Sequence, residues 1–268
     1  MTTRENGATT FLMYHELRCA GRTLASSDPG YVRYVVDENA FLQQMDHLVS
    51  SRTRGLSVSE WIDGVAQRES CVVLTFDDGC ETDLISAAPI LLERGFSATF
   101  YLTVDFLGRP GFLSHAQARE LAASGLEVGC HSMSHAYLSD IDDDRLGREI
   151  VEAKDQLEQI CGTRIRSLSC PGGRYDNRVL PLARRSGYDS VTTSRCEQNT
   201  RVHPPGLLGR FAIMQDTDLG RFDGVASGRE ISGGRVRDSL LATAKSVLGN
   251  SLYEKLRSGL LRLRSHDA

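Results

Sequence analysis

The chain alternates short apolar runs with segments whose apolar residues recur at helical spacing. The runs include Cys71–Leu74, Ala98–Thr103 and Leu126–Cys130, and the clearest helical segment extends from near Asp142 to Gly162. Apolar runs of four to six residues between amphipathic helices are typical of strands that are covered by helices. Repeated units of this kind predict an α/β fold with a parallel sheet or a distorted barrel.

Local signals refine the boundaries of the predicted elements. Serine followed three residues later by glutamate or glutamine is a capping box, and glycine commonly ends a helix. The predicted helices are Glu38–Leu48, a short helix opened by Ser57 and Glu60, Leu84–Glu93, a helix capped by Ser114 that ends at Gly125, Asp142–Gly162 and Arg178–Arg185. The predicted strands are Thr10–Leu17, Cys71–Phe76, Ala98–Thr103, Leu126–Cys130, Ile165–Ser169, Tyr188–Thr193 and Leu207–Ile213.

Two acids and two histidines follow the ends of two predicted strands. Asp77 and Asp78 come after the first strand, and His131 and His135 come after the second. Neighbouring buried carboxylates repel each other, so such a pair normally has a cation or an opposing charge beside it. Two imidazoles and one carboxylate supply three protein ligands and leave positions open for water and substrate. This arrangement is typical of a catalytic divalent-metal site.

Each of these runs also has an ordinary structural interpretation. An Asp-Asp-Gly sequence after a strand suits a tight turn, because Asp and Gly adopt turn geometry easily. The histidines, residues 131 and 135, suit a capped helix start or hydrogen-bonded groups of the core. The joint occurrence of both runs at strand ends favours the functional interpretation.

The two runs resemble a known family. TFDDG at residues 75–79 and HSMSH at residues 131–135, in this order and at the ends of two predicted strands, are similar to the polysaccharide deacetylases, the family 4 carbohydrate esterases. The resemblance covers roughly residues 10–215. It implies a distorted (β/α) barrel of about seven parallel strands.

The resemblance also implies a role for each residue of the two runs. It implies that Asp77 is the general base of the reaction. It implies that Asp78, His131 and His135 are the metal ligands. Zinc is the first metal to expect, although two histidines and one aspartate also suit Fe, Co or Mn.

A third segment, Leu168–Asp176, resembles the Arg-x-Pro-x-Gly loop of the family. In that loop the arginine orients the base, and the amide after proline helps to hold the oxyanion. The backbone amide of Gly172 needs no side chain and carries over as the oxyanion donor. Ser169, however, occupies the position of the arginine. Arg174 and Arg210 are the candidates to replace it in space.

The resemblance also implies a catalytic histidine late in the chain, in a Leu-x-His segment, but Leu207–Ile213 contains none. His203, which precedes a Pro-Pro-Gly sequence, is a poor substitute. The strand that ends at Tyr14 and His15 resembles the opening of the circularly permuted deacetylases that act on poly-N-acetylglucosamine. The resemblance therefore implies His15 as the general acid. The alternative is a strand-end histidine that is hydrogen-bonded for structural reasons.

Length and composition bound the class of protein. A chain of 268 residues with 40% hydrophobic residues can build one large domain with a substantial core. The net charge of −4 and the absence of a basic tract disfavour nucleic-acid binding. No run is long enough for a transmembrane helix, and the N-terminus lacks a signal-peptide pattern. The seven cysteines are an odd number and several lie in predicted core strands, so we expect a reducing, cytoplasmic location.

The predicted deacetylase domain spans residues 1–214, and residues 215–268 are predicted to form an extension packed on it. Residues 215–234 are rich in Gly, Asp and Ser and are predicted to form a loop. Residues 236–263 are predicted to be helical and to pack on the same domain, with Lys255 and Arg262 among the basic residues beside a row of leucines. A basic amphipathic face of this kind can contact a membrane surface. We favour a helix packed on the barrel with solvated charges. No oligomeric state is predicted.

These observations predict a metal-dependent hydrolase that removes the N-acetyl group from an N-acetylated sugar or glycan. One alternative is an amidase or deformylase of the same fold that acts on a small or lipid-linked substrate. A second alternative is a non-catalytic glycan-binding module, which the serine at position 169 favours because it removes the partner expected for Asp77. Intact Asp77, Asp78, His131 and His135 argue against that second alternative.

Overall fold

A computed structural model describes residues 7–65, 69–200 and 206–229 of the chain. The described residues form one large parallel sheet and a small two-stranded one. The strands are β1 (Thr10–Tyr14), β2 (Leu17–Arg18), β3 (Val36–Asp37), β4 (Arg54–Leu56), β5 (Cys71–Asp78), β6 (Thr99–Leu102), β7 (Glu127–Cys130), β8 (Ser167–Ser169), β9 (Ser190–Thr192), β10 (Leu207–Leu208) and β11 (Phe211–Ala212).

The large sheet has the strand order β10-β9-β8-β7-β6-β5-β1-β11, and β4 pairs with the first half of β5. All of these pairings are parallel. β10 and β11 lie at opposite ends of this order, yet only Gly209 and Arg210 separate them in the chain. The sheet therefore curls until its two ends are joined through these two residues. The predicted α/β barrel architecture is confirmed.

Helices cover the outer face of the sheet, as the connections between parallel strands require. The α-helices among the described residues are α1 (Pro29–Val32), α2 (Glu38–Ser50), α3 (Val58–Ile62), α4 (Ala88–Glu93), α5 (His115–Ala123), α6 (Asp143–Gly147), α7 (Ala153–Cys161), α8 (Val179–Arg185) and α9 (Leu219–Ala226). The predicted capping boxes are present at Ser57 and Ser114. Two of the predicted helices, Leu84–Glu93 and Asp142–Gly162, also contain π-helical turns, at Asp83–Ala87 and Arg148–Glu152.

The two faces of the sheet build two separate cores. Leu12 and Leu74 belong to the large core under the helices, whereas their neighbours Phe11 and Val73 belong to a smaller core on the inner face. All eight residues of β5 are buried, as expected for a strand covered on both faces. Because side chains alternate along a strand, Thr75 and Asp77 follow Val73 on the inner face. The barrel interior thus leads directly to the first candidate acid.

The predicted strand Leu207–Ile213 is wrong as a single element. Residues 207–208 pair with β9 at one end of the sheet, and residues 211–212 pair with β1 at the other. One straight strand cannot serve both neighbours, so the backbone bends at Gly209 and Arg210. This bend carries the side chain of Arg210 to a buried position, where it is 1% exposed.

Part of the predicted loop at residues 215–234 is instead the helix α9. Asp218 caps this helix by accepting a hydrogen bond from the amide of Arg221, and Phe222 is fully buried. His47 of α2 lies 2.9 Å from Asp223, which ties α9 to the body of the domain. His203 and the predicted helical region 236–263 lie outside the described residues. The domain boundary at residue 214 stays a prediction.

Tyr14 and Trp61 are both buried. The seven cysteines form no disulfide with one another, and five of them are buried. No helix in the described part of the chain has the length and apolarity needed to cross a membrane.

A test of the inner packing uses Gly129 of β7. A Cβ atom at this position would overlap the ring carbons Cδ1 and Cε1 of Tyr101, which is fully buried. We expect Gly129→Ala to lower the free energy of unfolding by about 1–3 kcal/mol, because overpacking displaces a buried ring. The matched control is Gly147→Ala, whose Cβ would meet nothing within 4 Å. Urea unfolding should show no loss for the control, and equal midpoints for the two variants would contradict the packing argument.

Candidate active site

A compact group of three ligand-type side chains lies at the carboxyl edge of the sheet. Asp78 Oδ1 lies 3.5 Å from His131 Nε2 and 3.4 Å from His135 Nε2. All three ligand atoms lie within 4.8 Å of one another. Asp78 Oδ1 is buried and has no hydrogen-bond partner in the described part of the chain. Because an unpaired buried carboxylate oxygen is costly, the site fits a divalent cation between these three atoms.

His131 is prepared for the role of a neutral ligand. Its Nδ1 atom donates a hydrogen bond of 2.9 Å to the carbonyl oxygen of Ser169. This bond leaves the lone pair of Nε2 directed toward Asp78, as in most metal-binding histidines. Burial, the largest cause, lowers the pKa of His131 to about 4. The imidazole is therefore neutral at pH 7 and available for coordination.

The backbone is strained where the ligands sit. Asp78, Ser132 and His135 have φ angles of 82°, 68° and 62°, and a positive φ is uncommon outside glycine. Such conformations cost about 1–3 kcal/mol each and persist only where the surroundings enforce them. The amide of His135 donates to Ser132 Oγ at 3.0 Å, which closes the loop on itself.

Glu149 holds the same loop from outside the sheet. Its carboxylate accepts hydrogen bonds from the amides of Met133 and Ser134 at 3.0 and 2.9 Å, and from Ser134 Oγ at 2.5 Å. Glu149 is 2% exposed, so these bonds satisfy a buried charge. The sequence analysis missed this residue. The feature of the sequence that could have identified it is an acid at an otherwise apolar position of a predicted helix.

Asp77 forms a buried, bidentate ion pair with Arg210. Arg210 Nη1 and Nη2 donate to the two carboxylate oxygens at 2.7 and 2.8 Å, and His131 Nε2 lies 3.8 Å from Asp77 Oδ2. Burial by itself would raise the pKa of Asp77. Arg210 and His131 outweigh it and hold the pKa well below its usual range. Asp77 is therefore an ionised carboxylate throughout the neutral range.

Arg210 is thus the arginine that position 169 lacks. Ser169 accepts a hydrogen bond of 2.8 Å from Arg210 Nη2, and its hydroxyl lies 3.4 Å from both oxygens of Asp77. The small serine side chain leaves room for the guanidinium group that enters from the bend between β10 and β11. The other candidate, Arg174, lies over the ring of Tyr137 at 3.9 Å.

His15 lies at the same edge of the sheet. β1 is parallel to β5, with Tyr14 opposite Phe76, so His15 follows at the level of Asp77. Its ring packs on Tyr34 at a centroid distance of 4.8 Å, and Nδ1 has no hydrogen-bond partner among the described residues. Burial lowers the pKa of His15, while Asp78 and Asp77 raise it by a smaller amount. The structure therefore brings His15 into electrostatic contact with both acids.

Gly172 lies in the 3₁₀ turn Pro171–Gly173, directly after β8. It is exposed to solvent and has a φ angle of 59°. β8 neighbours β7, whose end carries His131, so this turn also borders the carboxyl edge. All six residues that we predicted for the site thus lie at strand ends of this edge; they are His15, Asp77, Asp78, His131, His135 and Gly172.

Known proteins with similar sequences agree with this arrangement of site residues. The sequence model of the family described as polysaccharide deacetylase matches residues 64–191. The peptidoglycan-N-acetylglucosamine deacetylase of Bacillus cereus is 28% identical over 131 residues, which are 48% of this chain and 59% of that protein. A chitooligosaccharide deacetylase of Bradyrhizobium is 27% identical over 125 residues, 45% of this chain and 54% of that protein. The chain thus spans about half the length of the curated relatives that it matches.

Solved structures share the fold. The Streptococcus pyogenes deacetylase PplD, in complex with acetate, aligns with a TM-score of 0.71 at 22% identity, over 82% of this chain and 98% of that one. IcaB from Ammonifex degensii aligns with a TM-score of 0.66 at 22% identity, over 82% and 97% of the two chains. The match of residues 64–191 to the polysaccharide deacetylase model confirms the family inferred from the motifs. The circularly permuted type stays a prediction.

Removal of the guanidinium group of Arg210 should expose the cost of the buried charge. We expect Arg210→Met to destabilise the fold by about 3–5 kcal/mol, because Asp77 remains buried without its partner. The matched control is Arg195→Met, which removes an exposed pair with Glu197 at 3.1 Å. This control should change stability by less than about 1 kcal/mol in urea unfolding. A loss at position 210 as small as that of the control would contradict the assignment.

The lowered pKa of His131 predicts a pH-dependent stability of the metal-free protein. The unfolded chain protonates this histidine near pH 6.5, whereas the folded protein does so near pH 4. Between these values the unfolded state binds more protons, so stability falls as the pH falls, by roughly 3 kcal/mol. Chemical unfolding with EDTA present should show this slope. His131→Asn should remove most of it, and His115→Asn, at an exposed histidine, should retain it.

Proposed function

We propose that this protein hydrolyses the N-acetyl group of an N-acetylated sugar or glycan. The observation that carries the proposal is the joint geometry of two neighbouring acids. Asp78 completes a ligand group with His131 and His135, while Asp77 is held as a separate, ionised carboxylate by Arg210. A hydrolase needs these two functions side by side, one to hold a metal and one to accept a proton.

Each residue of the site has its own role in the proposed reaction. A divalent metal at Asp78, His131 and His135 would acidify water and polarise the acetamide carbonyl. Asp77 accepts the proton of the attacking water, and its low pKa keeps it ready to do so at neutral pH. The Gly172 amide donates a hydrogen bond to the developing oxyanion. His15 donates a proton to the leaving amine as the carbon–nitrogen bond breaks, and it regains a proton from solvent before the next turnover.

Zinc is the metal that we propose. Two neutral imidazoles and one carboxylate, with positions left open, form the ligand set of catalytic zinc sites. Iron, cobalt and manganese accept similar ligands, so metal replacement is part of the test. We also propose a cytoplasmic location, because seven cysteines without a disulfide suit a reducing compartment.

The contacts of Arg210 bear on the alternative of a non-catalytic module. That alternative rested on the loss of the arginine at position 169. A base that is bidentately paired and fully buried is costly to keep without a function. The relatives named above as deacetylases of peptidoglycan N-acetylglucosamine and of chitooligosaccharides favour a glycan acetamide over a small amide. Formate and ammonia release would indicate the deformylase or amidase alternative.

The proposal is tested by acetate release from N-acetylated sugars and glycan oligomers. The protein should be inactive after EDTA treatment and regain activity with zinc. Asp77→Asn should retain zinc and lose most turnover, since it removes the proton acceptor without removing a ligand. The His131→Ala, His135→Ala double variant should lose zinc. Stoichiometric zinc in the double variant would contradict the assignment of the metal ligands. Near-native turnover of Asp77→Asn would contradict the assignment of Asp77 as the proton acceptor.

The role of His15 is tested with substrates that differ in their leaving group. We expect His15→Ala to lower the turnover of an acetamide by ~10²–10⁴-fold while zinc stays bound, as for the loss of a general acid. The loss should be smaller for an activated acetyl ester, because its leaving group needs little protonation. Equal losses for amide and ester would show that His15 has another role.

A further inference from the structure

The metal-ligand loop contacts the turn that carries the proposed oxyanion donor. Tyr137 follows His135 by two residues, and its ring edge approaches Gly172. A Cβ atom on residue 172 would lie 2.8 Å from Cε1 and 3.3 Å from Cδ1 of Tyr137. The tyrosine ring thus occupies the space that a side chain at position 172 would fill. This contact joins residues that belong to two different strand ends.

The same turn is also confined at its next residue. A Cβ atom on Gly173 would lie 2.6 Å from Cβ and 2.7 Å from the backbone nitrogen of Ser194, which follows β9. Gly172 and Gly173 have φ angles of 59° and 67°, so the turn has an unusual backbone conformation. Because a backbone atom cannot move aside easily, Ser194 restricts the turn at residue 173. Tyr137 restricts it at residue 172.

Tyr137 is itself held in place. The guanidinium carbon of Arg174 lies 3.9 Å from the centroid of its ring, within the range of a cation–π contact. Arg174 Nη1 lies 3.5 Å from Asp140 Oδ2. Glu149 fixes the earlier part of the same loop through the amides of Met133 and Ser134. These contacts restrain the loop that carries His131 and His135 up to the point where it reaches Gly172.

We propose that Tyr137 is a positioning residue that fixes the Gly172 amide relative to the metal ligands. This inference rests on the proposed function, in which the Gly172 amide and the metal act on the same oxygen atom. The benefit of an oxyanion donor depends on its preorganised distance to that atom. A displacement of about 1 Å can cost ~10²-fold in rate. Tyr137 acts through the turn, without contact to the reacting atoms.

The test combines kinetics with amide hydrogen exchange. Tyr137→Ala should lower kcat for acetate release by about 10- to 100-fold, with KM changed by less than about threefold, because ground-state binding is retained. Exchange of the Gly173 amide, which donates a hydrogen bond of 2.8 Å to the carbonyl oxygen of Cys170, should become faster. Tyr137→Phe should restore both properties, since ring carbons make the contact. Ile160→Ala, which removes a half-buried apolar side chain from α7, is the control and should leave both unchanged.

A double-variant cycle tests the contact itself. Gly172→Ala should lower kcat strongly when Tyr137 is present, because the added Cβ meets the ring. The same substitution should cost less in the Tyr137→Ala background, where that space is open. Coupling of this sign is expected for residues in direct contact. Losses that simply multiply would overturn the inference.

The outcomes separate this inference from the proposed function. If the wild-type protein with zinc releases no acetate from any substrate, the proposed function fails, and hydrogen exchange alone decides whether Tyr137 restrains the turn. Faster exchange in Tyr137→Ala that Tyr137→Phe reverses then supports the restraint. Unchanged exchange overturns it. In an active protein, faster exchange with unchanged kcat also overturns the inference, because the position of the turn would not matter for turnover.

Discussion

The buried ion pair between Asp77 and Arg210 is the interaction on which the site depends. Both side chains are almost fully buried, and removing two charges from water costs several kcal/mol for each. The cost is offset because Arg210 also donates to Thr75, Ser169 and the carbonyl of Thr193. Arg210 reaches Asp77 from the bend where β10 passes into β11, at the point where the two ends of the sheet meet. Closure of the barrel and ionisation of Asp77 therefore have one structural cause.

The ligand group depends on a second constraint, which is backbone strain supported from outside the sheet. Asp78, Ser132 and His135 keep left-handed conformations that an isolated loop would leave. The buried carboxylate of Glu149 binds the amides at 133 and 134 and so holds that loop in shape. Glu149 belongs to the helical layer, in a π-helical turn. The packing of the outer layer thus fixes the geometry at the strand ends.

Elements with strong local signals were predictable. The capping boxes at Ser57 and Ser114, and the apolar run that becomes β5, formed as expected because their signals lie within a few residues of one another. The region after residue 207 was not predictable in the same way. Its strand is divided between two ends of a sheet, and α9 is stabilised by burial of Phe222 against distant elements. Local patterns carry no information about which end of a sheet a segment will join.

The sequence by itself determined which side chains lie at the two strand ends. Asp77 and Asp78 follow one apolar run directly, and His131 follows another. Once these runs form strands, the three side chains lie at the carboxyl edge of the sheet. The tertiary structure alone decided which distant groups meet them there. Arg210 is 133 positions from Asp77 in the chain, and His15 reaches its level through the register of β1 on β5. The curvature and register of the sheet determine which distant residues come into contact. Both arise from packing over the whole domain rather than from any local segment.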